Sequence, residues 1–207
     1  MDKEKLSEFH KNAILSAANE LFCQFGVENT TMNMVAKLAS YSTATVYSYF
    51  SGKDEIFFTL VLKGMESIKH KIDEITAADG DYVSKHYAVC NCLVDYQHEK
   101  PLYFEAMTGH INMNFTAADT PAVYRQIFET GNSINESLGK LLQIGVEEGI
   151  VAPELNSELT IFYLWGCILG TIRTASQKND YFMLNSVEKK KLLEFSFQRL
   201  LFSLSKN

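Results

Sequence analysis

Thr30-Thr31-Met32-Asn33-Met34-Val35-Ala36-Lys37-Leu38-Ala39-Ser40-Tyr41-Ser42-Thr43-Ala44-Thr45-Val46-Tyr47-Ser48-Tyr49-Phe50-Ser51-Gly52-Lys53-Asp54-Glu55-Ile56 is the stretch whose reading decides the fold. Thr31 has the side chain of a helix N-cap, followed by Val35, Leu38 and Ala39 at inward spacing. Ser40 to Ser42 form a short polar turn. Ser42 or Thr43 is placed to cap a second, very short helix with Val46 and Phe50 facing inward, and Ser51-Gly52 ends it. Helix, tight turn and a short helix rich in Ser, Thr and Tyr are the layout of a helix-turn-helix.

Upstream, Ile14, Ala17, Ala18, Leu21, Phe22 and Phe25 recur at the three-four spacing of a buried face, with Gly26 as the stop, so residues 14–56 read as three short helices. Downstream, Lys53 opens a long helix with Phe57, Leu60, Gly64, Ile68, Ile72 and Ile75 on one stripe, stopping near Asp79-Gly80. Further helices are predicted at about 82–98, from Pro101 to about His110, and from about 121 to 148, the last burying Tyr124, Ile127, Phe128, Gly131, Ile134, Leu138, Leu141, Leu142 and Gly145. Residues 111–118 read as irregular, 149–153 as a loop, and 157–177 and 186–204 as the last two helices. No segment alternates as a strand does. The expected fold is all-α with about nine helices, divided into a helix-turn-helix domain over 1–52 and a helical domain over 53–207.

Composition narrows the function. The chain has 207 residues, 46% of them hydrophobic, and a formal net charge of −6, so it is not a general polyanion binder. Residues 1–55 hold five lysines against seven carboxylates. A nucleic-acid reader with so acidic a head must use a few placed cations, hydroxyls and helix N-termini. Cys23, Cys90, Cys92 and Cys167 lie within helical patterns without paired spacing, as in a reduced, intracellular protein. The N-terminus lacks a signal-peptide core, and the longest apolar run, Leu159 to Ile172, is short of a bilayer and ends at Arg173. A cytoplasmic protein with no membrane partner is expected.

These residues resemble the TetR/AcrR family of transcriptional regulators. The resemblance rests on Ile14-Leu15, Ala17-Ala18, Leu21-Phe22, Gly26, Thr30-Thr31, Val35-Ala36, Ser42, Thr45, Tyr47, Tyr49-Phe50 and Lys53, and covers residues 14–56. Two positions depart from the family pattern: Ser40 stands where glycine is usual, and Ala44 where glycine is frequent. The resemblance implies a homodimeric repressor on a palindromic operator in double-stranded DNA, released by a small-molecule inducer held in the helical body. It implies no cofactor and no catalysis.

On the short helix, Thr43, Ala44, Tyr47 and Ser48 are left facing the major groove: hydroxyls to donate or accept, and a methyl to meet thymine. By resemblance, Thr31, Tyr49 and Lys53 clamp phosphates, with Lys37 in support. Packing is the plainer role for the tyrosines, capping for Thr31, and solvation for Lys53. One reader binds weakly, so two must be held about one helical turn apart. Gly166, Gly170 and Thr174 at four-residue spacing allow close helix approach, and Leu193, Phe197, Leu200 and Leu204 form an apolar stripe, together a candidate four-helix dimer interface. The same stripe also suits the chain's own core. Tyr87, Cys90, Tyr103, Phe104, Met107, Tyr124, Phe128 and Trp165, with Tyr163 and Met113 beside them, are candidates to line an apolar ligand pocket. His86 and Cys90 share a helix face, with Cys92 off it, and no CxxC or HExxH occurs, so no metal site is expected. An all-α enzyme or a helical adaptor that keeps the helix-turn-helix as scaffold are the rival readings; no nucleophile–base pair or phosphate loop supports the enzyme.

Overall fold

The structure, a computed structural model, describes residues 2–108, 121–185 and 187–205, with the side chain of Asn179 left aside. Met113 and the expected irregular segment 111–118 lie outside the described residues. Among those described there are ten helices and no strand, grouped in two compact units: residues 2–65 with 121–128, and residues 66–108 with the described part of 129–205.

In the first unit α1 (Lys3–Phe25) is not short: it runs 23 residues, because Leu6, Phe9 and His10 extend the helical pattern upstream of Ile14. Ile14, Leu15, Ala18 and Phe22 face the core, and Gly26, at φ +79°, ends the helix by donating to the Phe22 carbonyl. Then α2 (Met32–Leu38) starts where the Met34 N–H donates to Thr31 Oγ1 at 3.2 Å, and α3 (Thr43–Tyr49) where the Thr45 N–H donates to Ser42 Oγ at 3.0 Å. Met32, Val35 and Ala36 are buried but Leu38 is exposed, because at 100° per residue it lies about 120° from the centre of that face. Phe25 is also exposed, at the helix end. Ser51-Gly52 separates α3 from α4 (Lys53–Ala77).

The turn between α2 and α3 is a Schellman closure: the Tyr41 N–H donates to the Ala36 carbonyl (2.9 Å) and the Ser40 N–H to the Lys37 carbonyl (3.2 Å). It needs a residue with positive φ at position 40. Ser40 supplies it at φ +60°, the one described non-glycine residue with positive φ.

The second unit contains α5 (Tyr82–Glu99), α6 (Pro101–Thr108), α8 (Ser157–Gln177), α9 (Asn179–Leu184), α10 (Lys189–Leu204) and most of α7 (Ala122–Glu147). The short helix α9 (Asn179–Leu184) was not expected: it falls between the expected helices 157–177 and 186–204, too brief for periodicity to reveal, and the last helix begins at Lys189. Gly145 is buried because the Tyr82 ring and Val151 occupy the space a Cβ would need, 2.9 and 2.5 Å away. The Tyr82 N–H donates to Glu148 Oε2 at 2.9 Å, and the buried Lys85 ammonium donates to the Thr76 carbonyl at 2.8 Å, closing the C-terminal end of α4. Lys69 and the Ser137 hydroxyl bond Asp73, holding its carboxyl below the usual carboxylate range.

By length and composition α8, at 21 residues, is apolar enough to cross a membrane, longer than the run Leu159–Ile172 had suggested. In this fold it packs on α10 and α5 through Ile161, Ile168, Ile172 and Ala175, while Arg173 pairs with Glu105 of α6 (3.0 Å). Replacing Ser40 by glycine removes the left-handed strain of a Cβ-bearing residue, so Ser40→Gly is expected to stabilise the protein by about 1 kcal/mol. A rise of several degrees in Tm in a thermal melt supports this reading of the turn, and an unchanged or lower Tm refutes it.

Candidate nucleic-acid interface

The three-helix arrangement sorts the side chains of α3 by side. Val46 and Phe50 are buried, whereas Ala44, Tyr47 and Ser48 are exposed and Thr43 is half-buried; Tyr47 keeps 53% of its surface open. The four candidate base-reading residues therefore share one accessible side of a seven-residue helix. Their hydrogen bonds limit what each can offer. Thr43 Oγ1 donates to Asn33 Oδ1 of α2 at 2.9 Å and Ser48 Oγ to the Thr45 carbonyl at 2.7 Å, so both hydroxyls present lone pairs outward. Ala44 presents a methyl. Asn33, which the sequence reading passed over, is exposed and joins the face by accepting the bond from Thr43.

The candidate phosphate contacts are more committed. Thr31 Oγ1 is engaged as the α2 cap, and Tyr49 Oη lies 2.9 Å from His10 Nδ1. The Lys53 ammonium donates to the carbonyls of Val27 (3.0 Å) and Glu28 (3.1 Å), with the Glu28 carboxylate at 3.9 Å. Lys53 thus pins the α1–α2 turn to the start of α4 and keeps one N–H for another acceptor. Lys37 is exposed, in the last turn of α2, without a hydrogen-bond or ion-pair partner among the described residues. The His10–Tyr49 and Lys53–Val27 bonds span 39 and 26 positions, beyond any local sequence signal.

The second unit holds a narrow, almost wholly apolar cavity of about 30 Å³ between α5, α7 and α8. Val89 and Leu93 of α5, Leu138 and Leu142 of α7, and Ile161 and Trp165 of α8 are among its walls. Of the eight predicted pocket residues, only Trp165 lines it. Tyr103, Phe104 and Cys90 are buried elsewhere in that unit, Tyr87 stacks edge-on to His86, and Met107 is half-buried on α6. Tyr124 and Phe128 belong to the first unit, Tyr124 against Phe58 and Phe128 54% exposed, so the α7 periodicity had placed them on the wrong side.

His86 is the titratable imidazole in the wall, beside Tyr82. Its Nε2 is 3.2 Å from the Phe197 carbonyl, which only accepts, so Nε2 carries the proton; burial lowers its pKa and keeps the ring neutral. Cys90 Sγ lies 3.7 Å from the same nitrogen, and burial pushes its thiol up to about 12. No group of three or more metal-binding side chains occurs among the described residues.

At the expected dimer surface, Gly166, Gly170 and Thr174 are exposed and line an open groove with Cys167, Thr171 and Leu192. Phe197, Leu200 and Leu204 are not available there: at 3%, 5% and 1% exposure they close the chain's own core, and Leu193 is half-buried. The outward apolar residues of α10 are Phe195 and Phe202.

Comparison with known proteins follows the same division. Residues 14–60 match the family model described as bacterial regulatory proteins, tetR family. The uncharacterised HTH-type transcriptional regulator YhgD of Bacillus subtilis (strain 168) is 29% identical over 157 residues, 74% of this chain and 78% of that protein. The fatty acid degradation regulator FadR from Bacillus halodurans superposes with a TM-score of 0.73 at 19% identity, covering 96% of this chain and 97% of that one. FadR from Bacillus subtilis, solved in complex with stearoyl-CoA, gives 0.69 at 18% identity, covering 91% and 96%. At these identities the two structures show a shared fold.

Losing two charge-assisted bonds to turn carbonyls, Lys53→Ala is expected to destabilise the first unit by about 1–2 kcal/mol. Chemical denaturation without DNA checks this, and an unchanged midpoint assigns Lys53 no structural role.

Proposed function

We propose that this chain, which matches the tetR family of bacterial regulatory proteins over residues 14–60, is a DNA-binding transcriptional regulator that represses transcription as a homodimer on a palindromic operator until a small apolar ligand releases it. Residues 1–52 serve as the reader and residues 53–207 as the ligand-binding and dimerisation domain, acting in the bacterial cytoplasm where the operator is. The observation that carries the proposal is the two-sided α3: Val46 and Phe50 anchor it, and Thr43, Ala44, Tyr47 and Ser48 are presented together. Base contacts are assigned to these four. Phosphate contacts are assigned to Lys37, Thr31, Tyr49 and the remaining N–H of Lys53.

Dimerisation is assigned to the outer face of α8 and α10. Gly166, Gly170 and Thr174 provide a groove without bulky side chains, on helices that also expose Phe162, Phe195 and Phe202, and a second copy related by a two-fold axis buries it. The ligand is assigned to the cavity beside Trp165. Largely apolar walls, with a neutral imidazole and the rings of Tyr82 and Trp165, favour a hydrocarbon chain or ring over a charged group, and at about 30 Å³ the cavity must widen to admit one. The stearoyl-CoA bound to Bacillus subtilis FadR makes long acyl groups the first class to test. Such a ligand releases DNA only if it binds the non-DNA-binding conformer more tightly.

Selection from a random duplex pool at two salt concentrations tests the reading. An enriched palindrome is expected, with a log–log salt slope near about −5 for roughly 6 neutralised phosphates per dimer. Tyr47→Ala is expected to weaken binding to that duplex by about tenfold or more while fold and dimer are retained. No enrichment at low salt, or unchanged affinity in Tyr47→Ala, overturns the assignment of α3.

Trp165 is the chain's one tryptophan and lines the cavity, so its emission reports occupancy. Titration with stearoyl-CoA or free fatty acids is expected to shift or quench that emission saturably and to lower operator affinity. Emission unmoved by every chain length removes the acyl class.

A further inference from the structure

We infer that His10 positions Tyr49 on the DNA backbone and makes operator binding take up protons: the imidazole–phenol pair is a phosphate donor whose strength depends on the charge of His10. The inference rests on the proposed DNA-facing role of α3 and adds a residue outside the matched segment 14–60.

His10 lies on α1, and its ring sits between two tyrosines. Its Nδ1 is 2.9 Å from Tyr49 Oη, its ring meets that of Tyr49 edge-on at 5.8 Å and 88°, and it tilts against Tyr41 at 5.1 Å. One ring thereby ties α1 both to the turn before α3 and to the end of α3. Both His10 and Tyr49 remain half-exposed, so the pair is reachable from solvent.

A phenol has one proton to give. When Nδ1 is unprotonated it accepts that proton, and Tyr49 then shows a phosphate only oxygen lone pairs, which repel it. When His10 is an imidazolium, Nδ1–H donates to Tyr49 Oη instead. The phenol O–H is then free to turn outward and donate to a phosphate oxygen, with a positive charge one hydrogen bond behind it. A neutral ring protonated on Nδ1 releases the phenol too, but without the charge. A phosphate on Tyr49 therefore favours the protonated ring, and by linkage a protonated ring favours DNA.

Among the described residues no carboxylate forms an ion pair with His10. From the turn and α3 it faces the phenols of Tyr41 and Tyr49. Phe9 packs edge-on beside it. Positions one turn away on α1 are Leu6, Ser7, Ala13 and Ile14, and Lys11 is adjacent in sequence, while Glu8 projects from the opposite side of the helix. Across from α4, the Lys63 ammonium bonds Asn12 Oδ1 at 2.9 Å, two residues along. In an acidic head, a phosphate is the anion available to pair with a charged His10.

The sign follows. The DNA complex holds more protons than the free protein, so affinity is highest at low pH and falls as pH rises through the range where histidines lose their charge. The test is fluorescence anisotropy with the duplex enriched by selection, at constant ionic strength, from pH 5.5 to 8.5, on the full-length wild type, His10→Gln, His10→Phe and Tyr49→Phe. Wild-type Kd is expected to tighten by about tenfold or more between pH 8 and pH 6, within the histidine range. His10→Gln, whose amide can donate to Tyr49 but cannot titrate, is expected to bind with a much flatter profile. His10→Phe keeps the ring packing and is expected to be both flat and weak, as is Tyr49→Phe.

Calorimetry of the wild type in buffers of different ionisation enthalpy gives the same answer without any variant, with up to two protons taken up per dimer bound. Specific binding with a flat wild-type profile, zero proton uptake, or an unchanged slope in His10→Gln overturns the inference while leaving the DNA reading intact. Absence of any specific duplex overturns both.

Discussion

The geometry of the reading head depends on one backbone constraint, the reversal between α2 and α3 at Ser40. Two seven-residue helices are too short to hold their mutual angle by their own stability. The angle is set by the paired bonds from Tyr41 and Ser40 to the Ala36 and Lys37 carbonyls, and it is held from the other side by Thr43 Oγ1 bonded to Asn33. Both ties act within a few residues of the exposed end of α3. Strain at Ser40 therefore sits where the direction of α3 is decided. A serine in a position suited to glycine costs stability there, and the surrounding bonds are what keep it in place.

Charge is the second constraint. A head with five lysines and seven carboxylates among its first 55 residues cannot attract DNA by its field alone. The structure divides even those few cations between tasks. Lys53 spends two of its three donors on turn carbonyls, so Lys37 is the cation in the helix-turn-helix most free to meet a phosphate. Hydroxyls and tyrosines must do what lysines do in a basic reader. That makes the orientation of each proton consequential, since a hydroxyl turned inward offers a phosphate nothing.

Local chemistry was legible in the sequence and long-range chemistry was not. Thr31, Ser42 and Gly26 announce helix ends because their side chains, or the lack of one, satisfy backbone groups within four residues, and each does so in the structure. Val46 and Phe50 were readable as inward because a seven-residue helix with two large apolar residues on one side has one way to bury them. His10 was not readable, because nothing within four residues marks it; its partners lie 31 and 39 positions away. The pocket residues failed for a related reason. An aromatic at helical spacing signals a buried face but does not say what covers it, so Tyr103 and Phe104 went to ordinary core while aliphatic residues of α5, α7 and α8 made the cavity.

The helix α8 shows why composition cannot settle such a division. Through Ile161 and Ile168 it faces both the chain's own core and the cavity, and through Leu159 and Phe162 it faces outward, so it is apolar on nearly every side. A helix with that composition also meets the length and hydropathy of a membrane span, yet only 28% of its apolar window is buried within the chain. Three partners compete to explain its open side: lipid, ligand and a second copy. The small residues favour the second copy proposed above. A lipid-facing surface gains from large aliphatic side chains, whereas Gly166, Gly170 and Thr174 leave a groove that hydrocarbon tails would fill poorly and that a ridge of protein side chains fills well. The exposed Phe195 and Phe202 on α10 extend the same apolar surface onto a helix headed by Lys189, Lys190 and Lys191, whose charges keep that end in water. The proposed symmetric pairing of α8 and α10 would satisfy both helices at once, and it accounts for exposed apolar residues opposite the face that closes the core.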